Sequence, residues 1–108
     1  MTNINYTRHE CGFTIKADGH AGYANSGQDI VCAAVSVLLQ TLAYRVMDLT
    51  LDYTFDISNG HFYLSTTGCK QTNESFNTIL TGLELLESEY PNHVKVSSVG
   101  CPINQLND

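Results

Sequence analysis

Basic residues are scarce. Five lysines and arginines stand against eleven aspartates and glutamates, a net charge of −6 with histidine neutral. Such a chain offers no cationic stripe to a phosphate backbone, which argues against direct nucleic-acid binding. Charged residues of both signs reach only 15% while hydrophobic residues make up 43%, a balance that excludes a disordered chain. No apolar run approaches the roughly 20 residues of a membrane span, so no membrane partner is expected. The opening residues, Met1-Thr2-Asn3-Ile4-Asn5, have neither the basic nor the apolar region of a secretion signal. Four cysteines stand at Cys11, Cys32, Cys69 and Cys101 without a C-x-x-C pair. These gaps together point to a cytoplasmic protein with reduced thiols. No repeat, low-complexity tract or linker divides the 108 residues, so one domain is expected. A core of that size is modest, which makes a homodimer attractive.

What is present alternates between two periods. Residues 3–8 and 13–17 read as strands around a turn at 9–12, and residues 18–28 form a loop with three glycines. From Asp29 to Leu49 the chain is apolar almost all round, too long for a strand, and reads as a buried helix. Either Asp29 or Ser26 caps it. Leu51, Tyr53, Phe55 and Ile57 alternate with polar residues in a third strand. Ser58-Asn59-Gly60 turns the chain into a return strand at 61–65. Thr72 or Asn73 caps a second helix with its apolar face at Phe76, Ile79, Leu80, Leu83, Leu86 and Tyr90, stopped by Pro91. Residues 94–97 make a short last strand. The order β-β-α-β-β-α, with one extra C-terminal strand, predicts an α+β fold whose mostly antiparallel sheet is packed by two helices.

The chemistry concentrates between Gly19 and Ser36. His20 opens the glycine-rich loop, and Cys32 follows twelve residues later near the start of the apolar helix. A helix start favours a thiolate, and a neighbouring imidazole can take the thiol proton and return it to a leaving amine. Asp29 lies three residues before Cys32 on one helix face, with Ser36 a turn further on. A carboxylate beside the thiol opposes its ionisation, so Asp29 helps only by pairing with His20; otherwise it caps the helix. Ser36 taken alone is a small packing residue. A buried cysteine in an apolar helix is also ordinary core. That leaves a non-enzymatic dimeric binding or adaptor module as the rival reading. A thiol redox sensor is a weaker one, since it needs a resolving cysteine near Cys32. His9, His61 and His93 read as strand-edge or turn residues with no evident partner. No cysteine or histidine pair has the short spacing of a structural zinc site, so neither metal nor cofactor is expected.

Gly19-His20-Ala21 followed by Gly27-Gln28-Asp29-Ile30-Val31-Cys32-Ala33-Ala34-Val35-Ser36 resembles the motif of the ribosomal-processing cysteine protease family, Prp. Asn59-Gly60-His61-Phe62 is similar to the family's second hairpin. The resemblance runs to about residue 98, implying a protease domain over 1–99 and an added tail over 100–108. It implies a dimeric cytoplasmic endopeptidase of bacteria or their phages. The substrate implied is ribosomal protein twenty-seven of the large subunit, or a phage capsid or scaffold protein with a similar tail. Such an enzyme would remove an apolar, Phe-rich N-terminal extension. The family's nucleophile falls on Cys32 and its general base on His20. Asp29 and Ser36 fall on supporting positions. The mobile substrate loop over the site would be roughly residues 21–28, with Gly19, Gly22, Tyr23, Ser26 and Gly27 assigned to it.

Overall fold

The computed structural model describes residues 1–19 and 26–100, with side chains of the first helix described from Ile30 onward. Five strands and two helices follow one another as β1 (Thr2–His9), β2 (Gly12–Asp18), α1 (Ser26–Leu49), β3 (Tyr53–Ser58), β4 (His61–Thr66), α2 (Lys70–Glu89) and β5 (Val94–Ser98). The sheet order is β3-β4-β2-β1-β5. Three pairings are antiparallel and β1 with β5 is parallel, so the sheet is mixed. The extra C-terminal strand is therefore present. Apart from residue 100, the expected tail lies outside the described residues.

Alternation along the strands builds one apolar face. Ile4, then Phe13, Ile15 and Ala17, then Phe62 and Leu64 are buried with both helices in a single core. Helix α2 packs on α1, β2 and β5, while α1 reaches β3 and β4. The two layers are thus a sheet and a pair of helices on its apolar face. At the β3–β4 hairpin Gly60 has φ +73°, as the Asn-Gly turn requires, and its carbonyl accepts from the Gly19 N–H at 3.0 Å.

Several element boundaries differ from the sequence expectation. Helix α1 begins at Ser26, not Asp29, so Ser26 and Gly27 are helical and not loop residues. Leu51 is 96% exposed and precedes β3. Helix α2 begins at Lys70 with Cys69 as its cap, ahead of Thr72 and Asn73. Thr72 is the third residue, and its hydroxyl accepts from the Cys69 N–H and donates to the Cys69 carbonyl, both at 2.8 Å. That reciprocal pairing satisfies end groups that a helix starting at Thr72 would leave open. At the other end the Tyr90 N–H reaches the Leu86 carbonyl at 2.8 Å before Pro91.

The character of α1 is also corrected. By length and composition alone, Ile30–Leu49 is apolar enough to cross a membrane, contrary to the expectation that no run approaches that length. One side of this stretch is core, formed by Val31, Val35, Leu39, Leu42, Ala43 and Val46. The helix is not buried all round, however. Ile30, Val37 and Tyr44 stand 59%, 65% and 61% exposed at intervals of seven residues. They form one apolar line along about 21 Å of helix.

Candidate active site

The site grows from the seam between α1 and the β4 side of the sheet. Cys32 is the seventh residue of α1, at the end of its second turn. The field of the free amide ends falls off within the first turn, so it reaches Cys32 less than it would in a helix starting at Asp29. Cys32 is half-buried and lines a cavity of about 240 Å³. Helical spacing brings Val35, Ser36, Leu39 and Gln40 to the same cavity. The sheet supplies Thr2, Ala17, Ile57 and Phe62, and the hairpin supplies Ser58 and His61. The wall is mainly apolar, with Cys32 and a few polar groups set into it.

Of the residues singled out in the sequence, Cys32, Ser36 and Gly19 come together on this cavity. The Ser36 hydroxyl accepts from the Gln40 side-chain amide at 2.8 Å, which ties the two residues a turn apart on α1. His20, Gly22 and Tyr23 lie outside the described residues, as do the side chains of Asp29 and Ser26. The Cys32 sulfur is not sealed in the core, so the adaptor reading, which needs Cys32 as packing, loses its footing. Cys11 and Cys69 are exposed with free thiols. Among the described residues no group of three or more histidines, cysteines, aspartates or glutamates is placed to hold a metal ion.

Two features escaped the sequence reading. His61 has a partner after all: its Nδ1–H donates to Asp18 Oδ1 at 2.7 Å. The antiparallel register of β2 with β4 sets Asp18 opposite His61, and His61 lines the Cys32 cavity. Because the carboxylate accepts at Nδ1, the other ring nitrogen is left as the variable donor or acceptor. His9 is likewise partnered, through Nε2 to the Thr14 hydroxyl at 2.7 Å, and the His93 carbonyl accepts from Thr2 N–H. The second feature is Thr2, buried at the start of β1 with its hydroxyl 3.9 Å from the Cys32 sulfur. No local pattern signals either contact. Both depend on strands and a helix that are distant in sequence.

Comparison with known proteins fits this geometry. The Prp crystal structure from Staphylococcus aureus with a substrate peptide superimposes with a TM-score of 0.82 over 92% of this chain and all of that one, at 24% identity. The same enzyme with a covalently linked product peptide gives a TM-score of 0.75 at 26% identity over 92% of this chain and all of that one. SMU.848 from Streptococcus mutans gives a TM-score of 0.74 at 26% identity, covering 94% of this chain and 96% of its own. In sequence, the ribosomal processing cysteine protease Prp of Staphylococcus aureus is 31% identical over 85 residues, 74% of this chain and 80% of its own length. The profile of the family Cysteine protease Prp matches residues 1–95. With the cysteine-bearing cavity and the mixed five-stranded sheet, this match makes the chain a member of the Prp family of cysteine proteases.

Proposed function

We propose that this protease removes the N-terminal extension of ribosomal protein twenty-seven of the large subunit, cutting after an apolar, Phe-rich stretch, in the cytoplasm and as a homodimer. Cys32 is the nucleophile and His20 the general base. The observation that carries this reading is the Cys32 sulfur on an apolar cavity walled by Val35, Leu39, Ile57 and Phe62. At about 240 Å³ the cavity is smaller than the ~300 Å³ at which sites for drug-sized ligands begin. It suits one large apolar side chain of a peptide lying across the site. The Staphylococcus aureus relative with a covalently linked product peptide supports covalent catalysis at a cysteine.

In this mechanism His20 takes the Cys32 thiol proton, and the sulfur attacks the scissile carbonyl. The amine leaves with the proton held by His20, and a thioester joins the N-terminal fragment to Cys32. Water, activated by His20, then breaks the thioester and regenerates the thiol. Asp29, the fourth residue of α1 and so not its cap, orients His20, and Ser36, braced by Gln40, supports the wall beside Cys32. Residues 21–25 with Gly19 supply the contacts over the substrate, joined by Ser26 and Gly27 at the start of α1. The apolar line of Ile30, Val37 and Tyr44 supports the dimer, because a second copy would cover it.

The test is cleavage of a peptide ending in Phe-Phe before a small residue. Cut after the second Phe is expected, and Cys32→Ala and His20→Ala should each lower kcat by about a thousandfold or more. Substantial turnover by either variant would remove that residue from its role. A folded enzyme that cuts phage capsid or scaffold tails but not this peptide would replace the substrate and keep the mechanism.

A further inference from the structure

We infer that Thr2 is a positioning residue for Cys32, its buried hydroxyl holding the sulfur at the cavity and donating to it once the thiol has lost its proton. The inference rests on Cys32 being the nucleophile, as proposed above.

Strand alternation puts Thr2, Ile4 and Tyr6 on one face of β1, and Ile4 is fully buried in the core. The first place in that row, only 6% exposed, holds a small hydroxyl next to the fully buried, apolar Ile4. Thr2 Oγ1 lies 3.9 Å from Cys32 Sγ, and both residues line the same cavity. The backbone fixes this hydroxyl from two sides. The Thr2 N–H donates to the His93 carbonyl at 2.8 Å, in register with β5. The chain leaving β2 passes so close that a Cβ on Gly19 would lie 2.7 Å from Thr2 Oγ1 and 2.9 Å from Thr2 Cα. Glycine at 19 is what allows that approach, and the approach keeps Thr2 beside the sulfur.

The chemistry follows from what each group can do. A thiol both donates and accepts weakly, whereas a thiolate only accepts. A hydroxyl rotor turns to suit its neighbour, so once the thiol proton is removed Thr2 Oγ1–H can donate to the charged sulfur. Charge-assisted hydrogen bonds are shorter and about twice as strong as neutral ones. The contact therefore tightens as the nucleophile forms, and its direction sets where the sulfur sits when it attacks.

The experiment compares Thr2→Val, which keeps the branched shape, with Thr2→Ser, which keeps the hydroxyl. Alkylation by iodoacetamide is followed at residue 32 by peptide mass mapping, so that Cys11, Cys69 and Cys101 are scored separately. At pH 7 the valine variant should alkylate about threefold to tenfold more slowly than the parent, and the serine variant within about twofold of it. On the peptide substrate the valine variant should lose kcat by a similar factor with KM unchanged. A parental rate at pH 7 in Thr2→Val, or a serine variant as slow as valine, would overturn the inference. Should Thr2→Val fail to fold, Thr2→Ser against Thr2→Ala makes the same comparison. Cleavage surviving in Cys32→Ala would overturn the nucleophile itself. Parental alkylation in Thr2→Val, with cleavage lost in Cys32→Ala, would overturn only the role of Thr2.

Discussion

At position 69 a thiol occupies the place at a helix start that serine, threonine or aspartate usually fills. The backbone N–H of Thr72 points at the Cys69 sulfur, and this contact outweighs the opposing desolvation; with lesser help from the Gln71 backbone and the Thr72 hydroxyl it holds the thiol below its ordinary value. Thiolate is the better acceptor, so the sign is that of an acid whose folded value is depressed. The thiolate's contribution to the helix is fully present above the unfolded value and is lost as pH falls through the folded one. At pH 8, Cys69 should therefore alkylate about threefold or more faster than Cys11, which is also exposed, and at the same rate in strong urea. Mass mapping of a short iodoacetamide pulse reads this. Equal rates in the folded protein would show that the cap does not favour the thiolate.

Helix α2 joins an aliphatic face to one aromatic cluster. Its apolar face at Phe76, Ile79, Leu80 and Leu83 is buried as the i, i+3, i+4, i+7 spacing requires. Phe76 stacks on Phe13 with centroids 4.4 Å apart and meets Tyr6 edge-on at 5.5 Å. The Arg8 guanidinium covers the Phe76 ring at 5.0 Å, and its Nη1 donates to Asn77 Oδ1 at 2.7 Å. Removing that ring opens a cavity between α2, β1 and β2, so Phe76→Ala should cost about 3–5 kcal/mol in urea unfolding. A loss below about 1 kcal/mol would mean the neighbours collapse into the space. Helix α1 differs, because its apolar residues exceed what the sheet can cover, and the surplus falls on the line of Ile30, Val37 and Tyr44.

At the scale of the whole molecule, that line bears on assembly. A charge at Val37 would sit in the middle of the proposed dimer face and far from the core, since Val37 is 65% exposed. Val37→Asp should therefore convert a dimer to a monomer on light-scattering chromatography, with helix content by circular dichroism unchanged. A parent that elutes as a monomer, or a variant that stays dimeric, would remove this face from the assembly. The sheet sets the site at the same scale. β4 pairs with β2 and not only with its hairpin partner β3, which brings His61 against Asp18 and the hairpin turn against Gly19.

Local periodicity and turn chemistry in the sequence determined the existence and order of the elements. Alternation marks β2 and the core of β3, and helical spacing marks the buried face of α2. Asn59-Gly60 marks the hairpin, since a turn with positive φ needs residues that tolerate it. The run around Cys32 carried the resemblance to the family whose profile matches residues 1–95. Tertiary structure alone decided the rest. The start of α2 shifted because Thr72 pairs with Cys69, a side-chain fit that propensity does not encode. The parallel pairing of β5 with β1 decided where Thr2 lies, and the packing of α1 on the sheet brought Cys32 to it. Contacts between residues 2 and 32, or 18 and 61, follow from which apolar faces bury one another, and no window of neighbouring residues carries that information.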